Sequence, residues 1–314
     1  MTSSSIALVG LGKMGGNMAR RLSRAGIKVH GFDPQLLSDS QFAAHFESES
    51  KISLHESLHD CVQALHADMG ALPKVIWVML PAGAITQTTL DTLLATLQGG
   101  DIVVDGGNAN YLDSQRRAKI FDQEGIHYVD CGVSGGVWGL ENGYCLMFGG
   151  SPQAAQSIQP FIKALAPTPD TGWLHCGPSG AGHFVKMIHN GIEYGMMQAM
   201  AEGFSLLEGN QEMKVPLGEV AELWRHGSVV RSWLLDLTAS SLKTPGALNT
   251  VGPVVSDSGE GRWTIDEAIR QGTPAPVIAA SLMSRFDSQG KADTANKLLA
   301  LMRQGFGGHA ITKV

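Results

Sequence analysis

Apolar residues fall into two regimes along the chain, and the change between them divides it. The stretch "SIALVGLGKMGGNMARRLSRAGIKVHGFD" opens on a short β-branched apolar run and turns through Gly10, Gly12 and Gly15. It continues at helical spacing and closes in a second extended run, "KVHGFD". That order predicts a strand, a helix and a parallel strand. "KVIWVML", "DIVVDGG", "HYVDCGV" and "YCLMFGG" read as further strands with helical stretches between several of them. The first half therefore predicts a doubly wound α/β sheet reaching about residue 176. From "GPSGAGHF" onward long helical periodicity takes over, with "GPVVSDSGEGRW" as a loop between helices. The expected organisation is an α/β domain over residues 1–177 and an all-α domain over 178–314.

Composition narrows the partners. A chain of 314 residues can form about two cores, and 43% hydrophobic with 17% charged residues is ordinary for a folded protein. The formal charge of −6 argues against a nucleic-acid binder while leaving room for a local basic pocket around a phosphorylated ligand. "MTSSSIALVGLGKMGG" has no cationic region before its apolar run, and that run is too short and glycine-rich to span a membrane. A cytoplasmic protein with no membrane partner is expected. Cys61, Cys131, Cys145 and Cys176 are scattered, which predicts reduced thiols and no zinc site.

The first turn carries the clearest chemistry. In Gly10-Leu11-Gly12-Lys13-Met14-Gly15 the glycines permit a tight turn, close approach of backbone to a pyrophosphate and close helix–strand packing. The helix start supplies N–H groups and dipole. Asp33 closes the next strand about 20 residues on, where an acidic residue accepts ribose hydroxyls, so the domain reads as a dinucleotide-binding Rossmann domain. Asp33 repels a 2′-phosphate and "FDPQ", with Pro34 next, offers no arginine, which favours NAD over NADP; Lys13 could blunt that preference. Met79, Leu80 and Pro81 of "MLPAG" and Asn108 of "DGGNANY" should follow strand ends, where open α/β sheets bind ligands. Asn108 reads equally well as a turn residue. Ser134, Gly135 and Gly136 form another glycine-rich loop able to offer hydroxyl and N–H groups to an anion.

"GHFVKMIHNGIEYG", residues 182–195, should be helical and largely buried, yet Lys186, His189, Asn190 and Glu193 stand at i, i+3, i+4 and i+7 on one face. Taken singly, Lys186 could snorkel, His189 could be a satisfied core histidine and Glu193 could pair with Lys186. His189 and Glu193 lack a convincing third ligand, so no metal is expected. A helix that begins just after a nucleotide domain can line the cleft between two domains, where ligands commonly bind. Beside a nicotinamide ring the stripe reads as acid–base machinery. A partly desolvated lysine near that positive ring has its pKa depressed toward neutrality, as a general base needs, and Glu193 is the candidate acid.

The stripe and its neighbours resemble the decarboxylating 6-phosphogluconate dehydrogenases, in the short bacterial type. "GLGKMGGNMARRL", "DGGNANYLDSQRR", "SGGVWGLENGYCLMFGG", "GHFVKMIHNGIEYG", "GEGRWT" and "RQGFGGHA" occur in that family's order over most of the chain. The resemblance implies oxidation and decarboxylation of 6-phosphogluconate to ribulose 5-phosphate in the pentose phosphate pathway, with Lys186 as base and Glu193 as acid. It implies that Asn108, Ser134, Gly135, Gly136, His189 and Asn190 hold the sugar-acid end, and that Tyr194, Arg262, Thr264 and Arg285 lie near the phosphate. It further implies that Arg303 and His309 belong to a tail exchanged between subunits of a homodimer or homotetramer. From the residues alone, Thr264 reads equally as the N-cap of "TIDEAIRQ" and Arg285 as a surface charge.

Three departures stand out. Arg262 replaces a common lysine, "FDPQ" lacks the grouping that reads the 2′-phosphate in NADP-preferring members, and the chain lacks the second half of the longer members' helical domain. Two other readings remain. One is another β-hydroxyacid dehydrogenase, of the 3-hydroxyisobutyrate type, which would leave Arg262 and Arg285 without a partner. The second is a non-catalytic NAD-binding protein.

Overall fold

The computed structural model describes residues 5–244, 246–307 and 310–312, which separate into two compact units, 1–187 and 188–314. The first contains β1 (Ser5–Val9), α1 (Lys13–Arg24), β2 (Lys28–Phe32), α2 (Ser40–Ala44), β3 (Ile52–His55), α3 (Leu58–Met69), β4 (Val75–Val78), α4 (Ala84–Thr96) and β5 (Ile102–Asp105). It continues through α5 (Tyr111–Gln123), β6 (His127–Ser134), α6 (Gly139–Asn142), β7 (Cys145–Gly149), α7 (Pro152–Leu165) and β8 (Trp173–Gly177). Helix α8 (Ala181–Gly209) begins in this unit and continues into the next.

The eight strands order as β3-β2-β1-β4-β5-β6-β7-β8. Every neighbouring pair is parallel except β6 and β7, which run antiparallel, with β8 parallel to β7. The chain steps outward from β1 on both sides, so β1 and β4 flank the switch point at which a doubly wound sheet binds its ligand. Alternation feeds two cores. Ile6 and Leu8 pack with Met18 and Leu22 of α1 and Ile158 and Phe161 of α7, whereas Ala7 and Val9 pack with Leu65 of α3, Leu90 and Leu93 of α4 and Phe121 of α5. Burial on both faces is why these strands read as unbroken apolar runs. β3 escapes that pattern because it is a four-residue outer strand whose residues are all half-buried.

Side-chain caps begin several helices: Ser57, Asn110 and Ser151 each accept a backbone N–H of the first turn of α3, α5 and α7. Arg21 of α1 closes the other end of α7. Its guanidinium donates to the carbonyls of Ala164, Leu165 and Ala166, groups that a helix C-terminus leaves without partners. The four cysteines are free thiols, two of them, Cys61 and Cys131, buried.

All regular structure among the described residues of the second unit is helical. α9 (Leu217–Trp224) and α10 (Trp233–Leu242) enclose Phe204, Ala221, Leu235 and Ala239, and α11 (Glu260–Gln271) packs on α12 (Pro276–Ser288) ahead of α13 (Asp293–Gly307). No helix among the described residues is long and apolar enough to cross a membrane.

Candidate active site

The glycines of the first turn have separate reasons. Gly10 has φ +90°, and a Cβ there would collide with the Met79 carbonyl oxygen; a Cβ on Gly15 would collide with the Gly10 carbonyl oxygen. Gly12 is exposed and a Cβ on it would meet nothing within 4 Å. Nothing in the chain itself demands glycine there. An open cradle in front of the N–H groups of α1 is what a close-approaching pyrophosphate requires, so the turn fits a dinucleotide. Asp33, 8% exposed, is tied to the same loop: its Oδ2 accepts the Leu11 N–H at 2.7 Å and its Oδ1 the Gln35 N–H at 2.9 Å. Each carboxylate oxygen keeps a second lone pair for a ribose hydroxyl. Lys13 and Pro34 are exposed and Met14 half-buried at this edge.

The loops after β4 and β5 lie against each other. A Cβ on Gly106 would sit 2.7 Å from Met79 Sδ, and one on Gly107 would collide with the Leu80 carbonyl oxygen. Asn108 is exposed at the tip, with Pro81 exposed on the neighbouring loop. Beneath Asn108 a buried network holds the loop: Asp105 Oδ2 accepts from Arg117 Nη1 at 3.0 Å and from the Tyr128 hydroxyl at 2.7 Å. Burial, reinforced by the Asp105 charge, pushes the Tyr128 phenol well above its ordinary value and keeps it a donor. Ser134 ends β6, and Gly135 and Gly136 follow at φ +130° and +55°, conformations that favour glycine.

Helix α8 is seated on β6 by glycines in both elements. A Cβ on Gly182 would lie 2.5 Å from the Asp130 and Met147 carbonyl oxygens, and one on Gly132 would collide with Lys186 Cβ and sit 2.8 Å from its Cγ. The fully buried Asp130 carboxylate accepts the Gly180 N–H at 2.5 Å and the His183 N–H at 2.8 Å, capping the helix start. Burial raises its pKa, with the His183 ring and the N–H groups pulling the other way. Lys186 is thereby fixed at the sheet, and it is 9% exposed.

The burial expected over 182–195 holds for all but Val185 and Ile192. Lys186 and Asn190 are buried while Val185, Ile192, Met196 and Met197 are exposed at 37–52%. The stripe itself is split, since the His189 and Glu193 side chains are 39% exposed: spacing reveals which residues share a face but not which of them are covered.

In the second unit His189 Nδ1 lies 2.9 Å from Asn190 Oδ1 and 3.9 Å from Glu193 Oε2. Asn190 Nδ2 donates to Glu260 Oε1 at 2.9 Å, and the Tyr194 hydroxyl meets Ser258 Oγ at 3.2 Å. Arg285 stacks on the Tyr194 ring at 3.5 Å and donates to the Ser256 carbonyl at 2.7 Å. Arg262 forks onto Asp257 at 2.8 and 3.0 Å and lies 4.3 Å over the Phe286 ring. That guanidinium holds the Asp257 carboxyl below its ordinary value. Two arginines thus stand beside adjacent residues of one loop, a donor arrangement suited to a phosphate.

Thr264 is not an N-cap. α11 starts four residues earlier, at Glu260, and the buried Thr264 hydroxyl donates to the Glu260 carbonyl. Its methyl group comes within 2.8 Å of the Cβ position on Gly191, so it packs on α8 directly. Arg303 is exposed on α13, and His309 lies outside the described residues. Among the described residues no group of three or more His, Cys, Asp or Glu is placed to hold a metal ion.

Residues 5–176 match the NAD-binding domain of 6-phosphogluconate dehydrogenase and residues 182–310 its C-terminal domain. The chain belongs to the 6-phosphogluconate dehydrogenase family. It is 40% identical to an NAD-dependent, decarboxylating 6-phosphogluconate dehydrogenase of Haloferax volcanii, with 98% of each chain covered. It is 39% identical to YqeC of Bacillus subtilis over 98% of this chain and 99% of that one. The Plasmodium falciparum 6-phosphogluconate dehydrogenase superposes with a TM-score of 0.81 at 26% identity; 99% of this chain spans 66% of that longer one. Within this family of dehydrogenases, Gly132, Asp130, Asp105, Asp257 and Glu260 are supporting residues that motif reading passes over. Asp257 pairs with Arg262 only five residues on, whereas the other four act on partners distant in sequence, which only the folded chain reveals.

Proposed function

We propose that the chain oxidises 6-phospho-D-gluconate at C3 and releases its carboxylate as carbon dioxide, leaving D-ribulose 5-phosphate, with NAD the preferred hydride acceptor and NADP a poorer one. The observation that carries this reading is the stripe on α8: Lys186, buried and fixed over Gly132, lies two helical turns before Glu193. That is a rise of about 10 Å along one helix face.

NAD would be held at Gly10, Gly12, Gly15 and Asp33 with Met79, Leu80, Pro81 and Asn108 alongside, and would supply the hydride acceptor. Lys186 removes the C3 hydroxyl proton as that carbon is oxidised. The product is a β-keto acid whose carboxylate leaves readily, and Lys186, now protonated, donates to the ketone oxygen as the enediol forms. Glu193 then delivers a proton to the former C2, which becomes C1 of ribulose 5-phosphate. Ser134, Gly135, Gly136, His189 and Asn190 hold the sugar-acid end, while Tyr194, Thr264 and the forks of Arg262 and Arg285 hold the phosphate. An unphosphorylated 3-hydroxy acid would offer these arginines no phosphate.

We further place the reaction in the cytoplasm, in the pentose phosphate pathway, and assign the tail of Arg303 and His309 to a second copy in a homodimer or homotetramer. α13 supports this, because Leu298, Leu299, Leu301 and Met302 are about half exposed and such a face gains from a covering partner. The reading is tested by progress curves for reduced nicotinamide with 6-phosphogluconate, gluconate and 3-hydroxyisobutyrate, each with NAD and with NADP. Turnover confined to 6-phosphogluconate and faster with NAD is expected; turnover of an unphosphorylated acid at equal efficiency contradicts the arginine assignment, and silence throughout contradicts the activity.

A further inference from the structure

The second unit buries a carboxylate that the proposed chemistry does not use. Glu260 is 2% exposed and opens α11. Its Oε1 accepts from Asn190 Nδ2 at 2.9 Å and its Oε2 from the Ser258 hydroxyl at 2.5 Å. Ser258 in turn joins Tyr194: its N–H donates to the phenol oxygen at 3.1 Å, and the two hydroxyl oxygens lie 3.2 Å apart. A charge at such depth is costly unless it is well bonded. Here two donors and the positive first turn of α11 offset that cost.

The chain of bonds has a direction. A carboxylate only accepts, so Asn190 must turn its amino group toward Glu260 and its carbonyl oxygen toward His189. An amide oxygen also only accepts, and it lies 2.9 Å from His189 Nδ1. The hydrogen therefore sits on Nδ1. Glu193 Oε2, 3.9 Å from the same nitrogen, is beyond hydrogen-bond range, but a carboxylate on that side favours the same assignment. In the neutral ring Nε2 is then the accepting nitrogen. Which tautomer His189 adopts is a consequence of the bond its other nitrogen makes.

We propose that Glu260 is a positioning residue: it fixes the amide orientation of Asn190 and, through it, the Nδ1–H tautomer of His189. An accepting Nε2 suits a substrate hydroxyl, which arrives as a donor; the Nε2–H tautomer would not accept it. Only this last step rests on the functional reading above, in which His189 and Asn190 contact the sugar acid. Through Ser258 the same carboxylate orders the Tyr194 hydroxyl, so one buried group aligns three side chains.

The test is the ring-nitrogen chemical shifts of His189, measured by NMR on the full chain labelled at histidine nitrogen, without substrate and with His189→Gln for assignment. The wild type is expected to carry its hydrogen on Nδ1. Glu260→Met removes the acceptor, and the ring should move toward a mixture of tautomers; Glu260→Gln, which keeps an acceptor oxygen, should retain Nδ1–H. Where Glu260→Met fails to fold, Asn190→Ala should unlock the ring in the same way. In parallel, Glu260→Met should raise KM for 6-phosphogluconate roughly tenfold at an unchanged Kd for NAD, with most of the loss recovered in Glu260→Gln. An Nε2–H ring in the wild type, or an Nδ1–H ring unchanged in Glu260→Met and Asn190→Ala, overturns the proposal. A locked, Glu260-dependent ring in a protein inactive on 6-phosphogluconate would sink the functional reading alone, whereas an active protein with an unlocked ring sinks this inference alone.

Discussion

In the proposed mechanism Lys186 and Glu193 divide the proton chemistry because they serve different carbons: one works where the hydroxyl is oxidised, the other where the carboxylate has left. Glu193→Gln is expected to lower kcat by roughly 10²- to 10⁴-fold, the usual worth of a general acid, while leaving the Kd for NAD near the wild-type value. Lys186→Met should be at least as severe; near-normal turnover in either variant removes the corresponding assignment. Gly132 makes a sharper demand, since its missing Cβ leaves the space that Lys186 Cβ and Cγ occupy. Gly132→Ala should cost roughly 10- to 100-fold in kcat by displacing the base, with little change in NAD affinity, and an unaffected kcat would show that the lysine's placement tolerates the shift. At this scale the sequence singled out Lys186, Glu193 and the glycine turn as candidates, because helical spacing and a strand–turn–helix motif are local. Gly132 and Glu260 were not legible, because each matters only through a partner brought to it by the fold.

Single elements carry their own consequences. On the face of β2 and β3 covered by α3, His30 Nδ1 lies 2.9 Å from His55 Nε2, and His30 Nε2 lies 2.8 Å from Asp68 Oδ2, which also meets Lys28 Nζ at 2.6 Å. Burial, the neighbouring His30 and Lys28 together lower the His55 pKa below its ordinary 6.5, against an opposing pull from Asp60. The unfolded chain then binds a proton that the folded chain resists. His55 therefore costs the fold nothing above about pH 6.5 and destabilises it as pH falls from there through the folded-state value. Asp68, held low by Lys28 and His30, gives up its contribution only in still more acidic solution, as pH falls through its own depressed value. The denaturant midpoint should fall between about pH 7.5 and about pH 5.5, and His55→Gln should flatten that dependence; a wild-type midpoint constant across the range contradicts the account. β3 itself was missed in the sequence, since a short, half-buried outer strand with serine and histidine in it lacks both an apolar run and clean alternation. The burial expected over 182–195 holds except at Val185 and Ile192, and those two were not legible because period fixes a face while tertiary packing decides what covers it.

For the whole molecule, the α/β then all-α order was legible because the change from unbroken apolar runs to helical period follows directly from a sheet buried on both faces. The family motifs lie in order on that frame, with the nucleotide turn in the first unit, the arginines in the second and the stripe on the helix that belongs to both. Coupling of hydride transfer to loss of the carboxylate is the central claim. The most direct test uses 6-phosphogluconate isotopically labelled at C1 with NAD, following reduced nicotinamide and labelled carbon dioxide together in one vessel. Equal amounts of the two, with label only in the gas and ribulose 5-phosphate left behind, are predicted. Reduced nicotinamide accumulating while the label stays in solution would contradict the account and leave the chain an oxidising, non-decarboxylating dehydrogenase.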